Sequence, residues 1–215
     1  MRDLNTLQAG IAALGLSLAE DTATRLLAYR DLLLKWNRAY NLTAVKDPAE
    51  ILTHHLLDSL AILPQILERC AAASPVSLLD VGSGAGLPGI PLALACPELH
   101  VTLIDAVQKK TAFQQQAIIE LGLTNARSLH GRVEQQEGQY DLITARAFAE
   151  LADLIRLTQH LLAPDGAWLA MKGQNPQAEL ARLPPNACRA IVTPLKIPGL
   201  AAERHLVILK PAIGS

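Results

Sequence analysis

The most informative segment of this 215-residue chain is Leu78-Leu79-Asp80-Val81-Gly82-Ser83-Gly84-Ala85-Gly86-Leu87-Pro88-Gly89. Apolar residues lead into an acidic residue, and the chain then passes through closely spaced glycines. Glycine adopts positive φ easily and places no Cβ between the backbone amides and a ligand, and Pro88 suits the first turn of a helix. The segment therefore predicts a β-strand, a tight loop and a helix start, which is the arrangement of a nucleotide-type cofactor loop.

A second short apolar run, Val101-Thr102-Leu103-Ile104, ends at Asp105, about 20 residues beyond the glycines. At this spacing an acidic side chain meets a ribose in a βαβ nucleotide-binding unit. We therefore expect Asp105 to bind ribose hydroxyls.

The glycine pattern leaves more than one cofactor open. Residues 84 to 89 match the dinucleotide fingerprint, but out of register, because the strand ends at Val81 and the first glycine after it is Gly82. Asp-Val-Gly-Ser-Gly-Ala-Gly instead matches the first motif of S-adenosylmethionine (SAM) methyltransferases. SAM carries no phosphate, and its amino-acid end and ribose need the backbone donors and the carboxylate that Gly82, Gly84 and Asp105 supply. SAM is favoured, with NAD and a glycine-rich turn without a ligand as the alternatives.

Composition excludes several classes of protein. Half of the residues are hydrophobic and the formal net charge is −1, so any nucleic-acid binding has to use local basic patches. No apolar run reaches membrane-spanning length, and the N-terminus lacks the basic-then-apolar pattern of a signal peptide. Cys70, Cys96 and Cys188 form no CxxC pair, which favours reduced thiols over a disulfide framework or a zinc site. We expect a cytoplasmic protein.

Residues 1–74 predict a helical extension. Ser17 and Glu20 have the spacing of a capping box, which predicts a helix start at Ser17. Asp47-Pro48-Ala49-Glu50 predicts a second start, with an N-cap, a proline and an acid, and Pro64 interrupts the helix that follows. We expect this extension to pack on the remainder of the chain, residues 75–215.

From Val76 onward the pattern changes to short apolar strands that alternate with helices, which indicates a parallel, doubly wound sheet. Strands are predicted near residues 76–81, 101–105, 126–130, 140–145, 166–171, 189–196 and 204–210. Only Pro198-Gly199 and short flanks separate the last two strands, so they should pair as an antiparallel hairpin. The predicted fold class is α/β, a Rossmann-like SAM-dependent methyltransferase fold with a seven-stranded mixed sheet.

Three charged residues lie at predicted carboxyl ends of strands, where ligands gather in such sheets: Asp105, Arg146 and Lys172. Arg146 suits a phosphate anchor, and the alternative is an arginine that fixes a loop or a carboxylate. For Lys172 the alternative is an ordinary solvated lysine.

Seven motifs resemble one family in their order along the chain. They are Lys35-Trp36-Asn37-Arg38-Ala39-Tyr40-Asn41-Leu42-Thr43, His55-Leu56-Leu57-Asp58-Ser59-Leu60, the loop from Asp80 to Pro91, Arg132-Val133-Glu134, Ala145-Arg146-Ala147-Phe148, Lys172-Gly173-Gln174 and Glu203-Arg204-His205-Leu206. With these motifs the chain closely resembles the bacterial 16S rRNA guanine-N7 methyltransferases, the glucose-inhibited division protein B family. The resemblance implies transfer of the SAM methyl group to N7 of guanine 527, in the 530 loop of the small-subunit rRNA.

The resemblance also implies positions for the cofactor. It places Gly82 and Leu87 against the methionine and ribose of SAM, and Val133 and Glu134 near the adenine. It places Arg146 in a pocket shared by cofactor and target. For Glu134 the alternative is a solvated acid in a loop.

Basic residues near the expected pocket suggest a surface that follows RNA phosphates. The main candidates for RNA contact are Lys35, Arg38 and Lys172, and Phe148 is placed to hold one extruded base. Further basic candidates are Lys46, Lys109, Lys110, Arg132 and Arg146. Solvated side chains without a ligand are the alternative for each of them.

His54, His55 and Asp58 have helical spacings that a metal site could use, but pocket lining or packing through hydrogen bonds is favoured, and we expect no metal. We also expect no general base, because guanine N7 carries a free lone pair at neutral pH. The expected partner is the small ribosomal subunit or its precursor, bound by a monomer. A small-molecule methyltransferase, an NAD-dependent oxidoreductase and a non-catalytic ribosome-binding factor that keeps SAM as a structural ligand are the competing functions.

Overall fold

The computed structural model describes residues 1–72, 75–184 and 188–212. Within them, one seven-stranded sheet runs through the molecule in the order β3-β2-β1-β4-β5-β7-β6. The strands are β1 (Val76–Val81), β2 (Leu99–Asp105), β3 (Ala126–His130), β4 (Tyr140–Arg146), β5 (Leu162–Lys172), β6 (Cys188–Pro194) and β7 (His205–Pro211).

The sheet has the predicted mixed character. Strands β1 to β5 pair in parallel, and β7 lies antiparallel between β5 and β6. The terminal antiparallel hairpin and the seven strands are thus confirmed. Strand order reverses between β1 and β4, and ligands bind at the carboxyl ends of the strands beside such a reversal.

Helices fill the connections. They are α1 (Arg2–Ala13), α2 (Thr22–Tyr40), α3 (Pro48–Ile51), α4 (Asp58–Leu60), α5 (Leu63–Ala72), α6 (Gly89–Ala95), α7 (Gln108–Glu120), α8 (Leu151–Thr158) and α9 (Gln177–Leu180). A π-helical segment, Leu52–Leu57, joins α3 to α4, and short 3₁₀ turns cover Val133–Gln135 and Gln159–Leu161.

The two predicted helix starts in the first 72 residues have different outcomes. Asp47 caps α3 as predicted, because its carboxylate accepts hydrogen bonds from Ala49 N at 2.7 Å and Glu50 N at 3.3 Å. The start at Ser17 is wrong, because α2 begins only at Thr22. The chain leaves α1 through Gly15 at a φ of 73°, and an irregular segment follows that packs its leucines on the core. Apolar packing of this segment outweighs the capping box.

Two apolar layers sandwich the sheet, and neighbouring residues of β1 face opposite layers, as expected for a strand. Leu78 belongs to a core that also contains Leu26 of α2 and Phe113 of α7. Leu79 belongs to the other core, with Leu154 of α8. The first five helices thus cover one face of the sheet together with α6 and α7. The predicted boundary between residues 74 and 75 touches residues 73–74, which lie outside the described residues, and it stays a prediction.

Across the described ranges, no helix combines the length and the apolar character needed to cross a membrane.

Candidate active site

The glycine loop lies at the carboxyl end of β1, beside the reversal of strand order. Gly82 and Gly84 have φ values of 63° and 58°, which L side chains rarely adopt. The loop ends where α6 begins, and Gly89 N donates a hydrogen bond of 2.9 Å to Asp80 Oδ2. The predicted sequence of strand, tight turn and helix is confirmed.

Asp80 is fully buried beneath this loop. Burial raises the pKa of its carboxyl to about 7, against the opposing effects of the Gly89 hydrogen bond and of Arg146. Its second oxygen, Oδ1, has no hydrogen-bond partner among the described residues. Asp80 therefore fixes the start of α6 and has no exposed oxygen to offer a ligand.

Asp105 ends β2 and holds the rim of the loop. Its Oδ2 accepts a hydrogen bond of 2.9 Å from Gly84 N, and its Oδ1 accepts one of the same length from Val107 N. Lys110 Nζ lies 3.6 Å from Oδ2. The carboxylate is thus positioned at the mouth of the loop, and it also lines the cleft described next.

A cleft of about 340 Å³ opens beside the loop, and we call it the cofactor cleft. It is lined by Val81, Gly82, Ile104, Asp105, Ala106, Gly131, Arg132, Val133, Glu134, Phe148, Ala149, Asp153, Arg156 and Leu157. Gly82, Asp105, Val133 and Glu134, four of the predicted cofactor residues, therefore come together in one place. The other three do not line it: Gly84 supports Asp105, Leu87 is buried in the core, and Arg146 lines the neighbouring cavity described below.

The lining of the cofactor cleft fits SAM. Its volume lies within the usual range of about 300 to 1,000 Å³ for small-molecule sites. Ile104 and Val133 supply apolar walls that suit an adenine. Asp105 and Glu134 supply carboxylates that suit ribose hydroxyls and the positive charge of the ligand. At Gly82 a Cβ would clash with the Phe148 ring, so this floor position requires glycine.

Two buried polar side chains brace the loop from below, and sequence reasoning missed both. Gln114 Nε2 donates to Ser83 Oγ and Gly84 O at 2.9 Å each, and its Oε1 accepts from Ser128 at 2.6 Å. Tyr29 of α2 donates a 2.6 Å hydrogen bond to Ala85 O. Neither belongs to a motif that would single it out. The nearest signal is Tyr29's place in the helical extension, which thus contacts the cofactor loop directly.

A second cavity, of about 370 Å³, lies at the carboxyl ends of β4 and β5, and we call it the cationic pocket. It is lined by Val45, His54, His55, Asp58, Arg146, Ala147, Met171, Lys172, Gly173 and Arg204. Arg146 Nη1 donates hydrogen bonds of 3.1 Å to Asp58 Oδ2 and to His54 O. Arg204 Nε donates to Asp58 Oδ1 at 3.0 Å. One buried carboxylate therefore orients two guanidinium groups and leaves an excess of positive charge.

Both ring nitrogens of His55, which lines this pocket, are hydrogen-bonded. Its Nδ1 lies 2.9 Å from His54 O, which can only accept, so Nδ1 carries the proton and Nε2 accepts from Thr43 Oγ1 at 2.7 Å. Burial and the nearby Arg146 charge lower the pKa of His55 to about 4. The imidazole is therefore neutral at neutral pH with no free lone pair. Within the described ranges no group of three or more His, Cys, Asp and Glu side chains has metal-binding geometry.

The remaining candidates for RNA contact lie in different settings. Lys35 and Arg38 are exposed on α2. Lys172 points inward and binds Ala149 O and Glu179 Oε2 at 2.7 Å each. Phe148 lies against Gly82 in the cofactor cleft, one residue beyond the cationic pocket. Lys35 and Arg38 are not brought into either cavity.

The fold and the cofactor cleft together define a SAM-dependent methyltransferase. Magnesium protoporphyrin IX methyltransferase from Synechocystis PCC 6803, solved with bound SAH, has the same fold with a TM-score of 0.61 at 18% identity, covering 85% of this chain and 98% of that chain. A SAM-dependent methyltransferase from Aquifex aeolicus has a TM-score of 0.52 at 16% identity, covering 76% and 97%.

Sequence comparison gives the family. The family model GidB, rRNA small subunit methyltransferase G, matches residues 22–207. Ribosomal RNA small subunit methyltransferase G of Ralstonia nicotianae is 57% identical over 210 residues, covering 96% of this chain and 94% of that protein. The protein of the same name from Neisseria meningitidis serogroup A is 54% identical over 204 residues, covering 94% and 96%. The chain belongs to this family, and its cofactor is SAM, as the register of the glycines predicts.

Proposed function

We propose that the chain transfers the methyl group of SAM to N7 of guanine 527 in the 530 loop of bacterial 16S rRNA, within the small ribosomal subunit or its precursor. The cationic pocket carries this proposal, because it adjoins the cofactor cleft through residues 146–149 and combines an excess of positive charge with a histidine that cannot act as a base. The relatives are named as methyltransferases of small-subunit ribosomal RNA, and this supports the proposal. Such a substrate implies action in the cytoplasm.

The proposed target atom needs no general base. Guanine N7 has an in-plane lone pair that is unprotonated at neutral pH. SAM supplies a methyl group made electrophilic by its sulfonium. With SAM bound, N7 would attack this carbon in line as the carbon–sulfur bond breaks, so the positive charge would pass to the purine and no proton would have to move. The protein then has only to position the base and shape the pocket, effects that can supply about 7 to 11 kcal/mol.

Particular side chains suit these tasks. Arg146 and Arg204, fixed by Asp58, can bind a phosphate of the target strand as a rigid pair. Phe148 lines the cofactor cleft, next in the chain to Ala147 of the cationic pocket, and can stack on one extruded guanine. Gly82, Asp105, Val133 and Glu134 hold the cofactor. Lys172 serves this site through its contacts with the loop after β4.

A groove on the helical extension offers a further place for RNA. It measures about 530 Å³ and is lined by Leu34, Asn37, Arg38, Asn41, Lys46 and Pro48. Val45, next to Lys46, lines the cationic pocket, so the groove and the pocket are neighbours along the chain. RNA contact through Lys35, Arg38 and Lys46 would make binding fall steeply with salt, since phosphate neutralisation releases counterions. We expect a monomer to make these contacts.

Methyl transfer to small subunits from a strain that lacks the modification tests the proposal. With radiolabelled SAM we expect label in 16S rRNA, and strand cleavage by aniline after borohydride reduction should map N7-methylguanine to position 527. Label on another nucleotide would refute the assigned target. No label, from an enzyme that binds SAM normally, would favour a non-catalytic ribosome-binding factor or a small-molecule acceptor.

A further inference from the structure

The segment that follows β4 separates the two cavities. Arg146 and Ala147 line the cationic pocket, while Phe148 and Ala149 line the cofactor cleft. Ala147 has a φ of 52°, which a residue with a Cβ adopts only where the surroundings impose it. This backbone turn places the Phe148 ring against Gly82. Its conformation therefore fixes where Phe148 lies relative to Arg146 and the cationic pocket.

Two charged side chains outside this segment hold it in place. Lys172 Nζ, at the end of β5, donates hydrogen bonds of 2.7 Å to Ala149 O and to Glu179 Oε2. The same Glu179 oxygen accepts a 2.9 Å hydrogen bond from Leu151 N, the first residue of α8. The Lys172 and Glu179 side chains are only 16% and 26% exposed. Their contacts thus fix both the carbonyl before α8 and the first amide of that helix.

We propose that Lys172 and Glu179 are positioning residues. Together they form a latch that holds residues 147–150, so that Arg146 stays in the cationic pocket and Phe148 stays in the cofactor cleft. Lys172 acts here through Ala149 O and not by binding RNA. The part of this inference that concerns the acceptor rests on the proposed function, whereas the part that concerns SAM affinity depends on the cofactor cleft alone.

A neighbouring ion pair gives a matched control. Arg182 Nη1 lies 2.8 Å from Glu150 Oε1, so this pair joins the same loop to the chain after α9. Its side chains are 63% and 54% exposed, and exposed pairs of this kind contribute little. Glu150→Gln removes a charge from the same loop without touching the latch.

The experiment compares Glu179→Gln, Lys172→Met, their double variant and Glu150→Gln in the full chain. Calorimetry with SAM should show affinity about fivefold lower in both latch variants, the effect of losing roughly one hydrogen bond, and unchanged in Glu150→Gln. Single-turnover methylation of unmodified small subunits, at saturating SAM and RNA, should be about a hundredfold slower in the latch variants, since a displacement of about 1 Å costs that much. The double variant should be no worse than either single one, because both break one unit.

RNA affinity separates the latch from direct contact. We expect both latch variants to change the affinity for small subunits to the same extent and far less than they change the rate, because both disturb the same segment and neither removes a phosphate contact. If instead Lys172→Met weakens RNA binding while Glu179→Gln strengthens it, Lys172 is a phosphate contact and the latch is wrong. SAM affinity and rate equal to those of Glu150→Gln would also overturn it. If the wild type methylates no small subunit, the proposed target is wrong. The SAM affinities of the variants would still show whether the latch exists. Melting temperatures close to that of Glu150→Gln show that the variants are folded.

Discussion

Asp58 and Arg146 are 88 positions apart in the sequence, yet Arg146 Nη1 donates a 3.1 Å hydrogen bond to the Asp58 carboxylate. Asp58 belongs to the helical extension and is 2% exposed, and Arg146 ends the central strand β4. Arg204 binds the other carboxylate oxygen. The extension therefore helps to form the cationic pocket, since it supplies the anion that orients the arginines of that pocket.

Arg146→Ala should reduce the rate of methylation more strongly than it reduces folding stability. Asp58 keeps Arg204 as a partner on Oδ1 in this variant, while its buried Oδ2 loses the hydrogen bond from Arg146, so we expect the free energy of unfolding to fall by about 1 to 3 kcal/mol. Single-turnover methylation should fall by about a hundredfold or more, because the pocket loses a positioned cation. Quench-flow measurement and urea unfolding on the same samples check both values.

Arg69→Ala is the control for this prediction. Arg69 pairs at 3.9 Å with Asp141, near the opposite end of β4, and its side chain is 30% exposed against 19% for Arg146. Arg69→Ala should lower the free energy of unfolding by no more than Arg146→Ala does, and it should leave methylation unchanged. A loss of activity in Arg146→Ala that is matched by an equal loss of stability would assign Arg146 a purely structural role.

Asp105→Ala should weaken SAM binding by about 1 to 3 kcal/mol, the cost of leaving ligand hydroxyls without a charged partner. Calorimetry measures this directly. Lys110→Gln is the control, because Lys110 contacts the Asp105 carboxylate at 3.6 Å from outside the cleft lining. Its SAM affinity should stay close to that of the wild type. Unchanged SAM affinity in a folded Asp105→Ala protein would show that Asp105 does not bind SAM.

Asp80 should make stability depend on pH. Burial raises the pKa of its carboxyl from 3.8 to about 7, so between these values the folded chain keeps a proton that the unfolded chain has released. Stability from this group therefore falls as pH rises from about 4 to about 7, by at most about 1.4 kcal/mol per pH unit. Asp80→Asn removes the titration.

Urea unfolding at several pH values tests this. Relative to the wild type, Asp80→Asn should become more stable as pH rises through that window and level off above it. His55 works in the opposite direction below about pH 6.5, because its folded pKa is lowered to about 4. Since both proteins contain His55, its effect cancels in the difference. A difference that does not vary with pH would show that Asp80 is ionised throughout.

The parts of this molecule that could be predicted from sequence are those encoded locally. Alternating apolar runs mark the strands, and Pro198-Gly199 marks the hairpin between β6 and β7. The glycine loop and Asp105 are recognised by spacing within one βαβ unit. The capping box at Ser17 failed because local capping is weak beside the packing of an apolar segment on a distant core.

The bracing contacts could not be predicted, because each joins residues far apart in the chain. Gln114 reaches Ser83 across 31 positions, Tyr29 reaches Ala85 across 56, and Arg204 reaches Asp58 across 146. No periodicity or motif spacing reports a pairing between separate elements. Lys172 shows the same limit: its place at a strand end is encoded locally, but its partners Ala149 and Glu179 are fixed only by the fold.

The state of His55 leads to a prediction about mechanism. Its Nδ1 proton is committed to His54 O and its Nε2 to Thr43, and a pKa of about 4 keeps it neutral over the working range. If the acceptor is guanine N7, no base is needed. Single-turnover methylation at saturating SAM and RNA should then vary little between about pH 6 and pH 9, where a histidine base with an ordinary pKa of about 6.5 would impose a titration. His54→Gln and His55→Gln should keep that flat profile even where packing changes lower the rate. A tenfold rise in the chemical step per pH unit, abolished by either substitution, would contradict the base-free mechanism and point to an acceptor atom that must lose a proton.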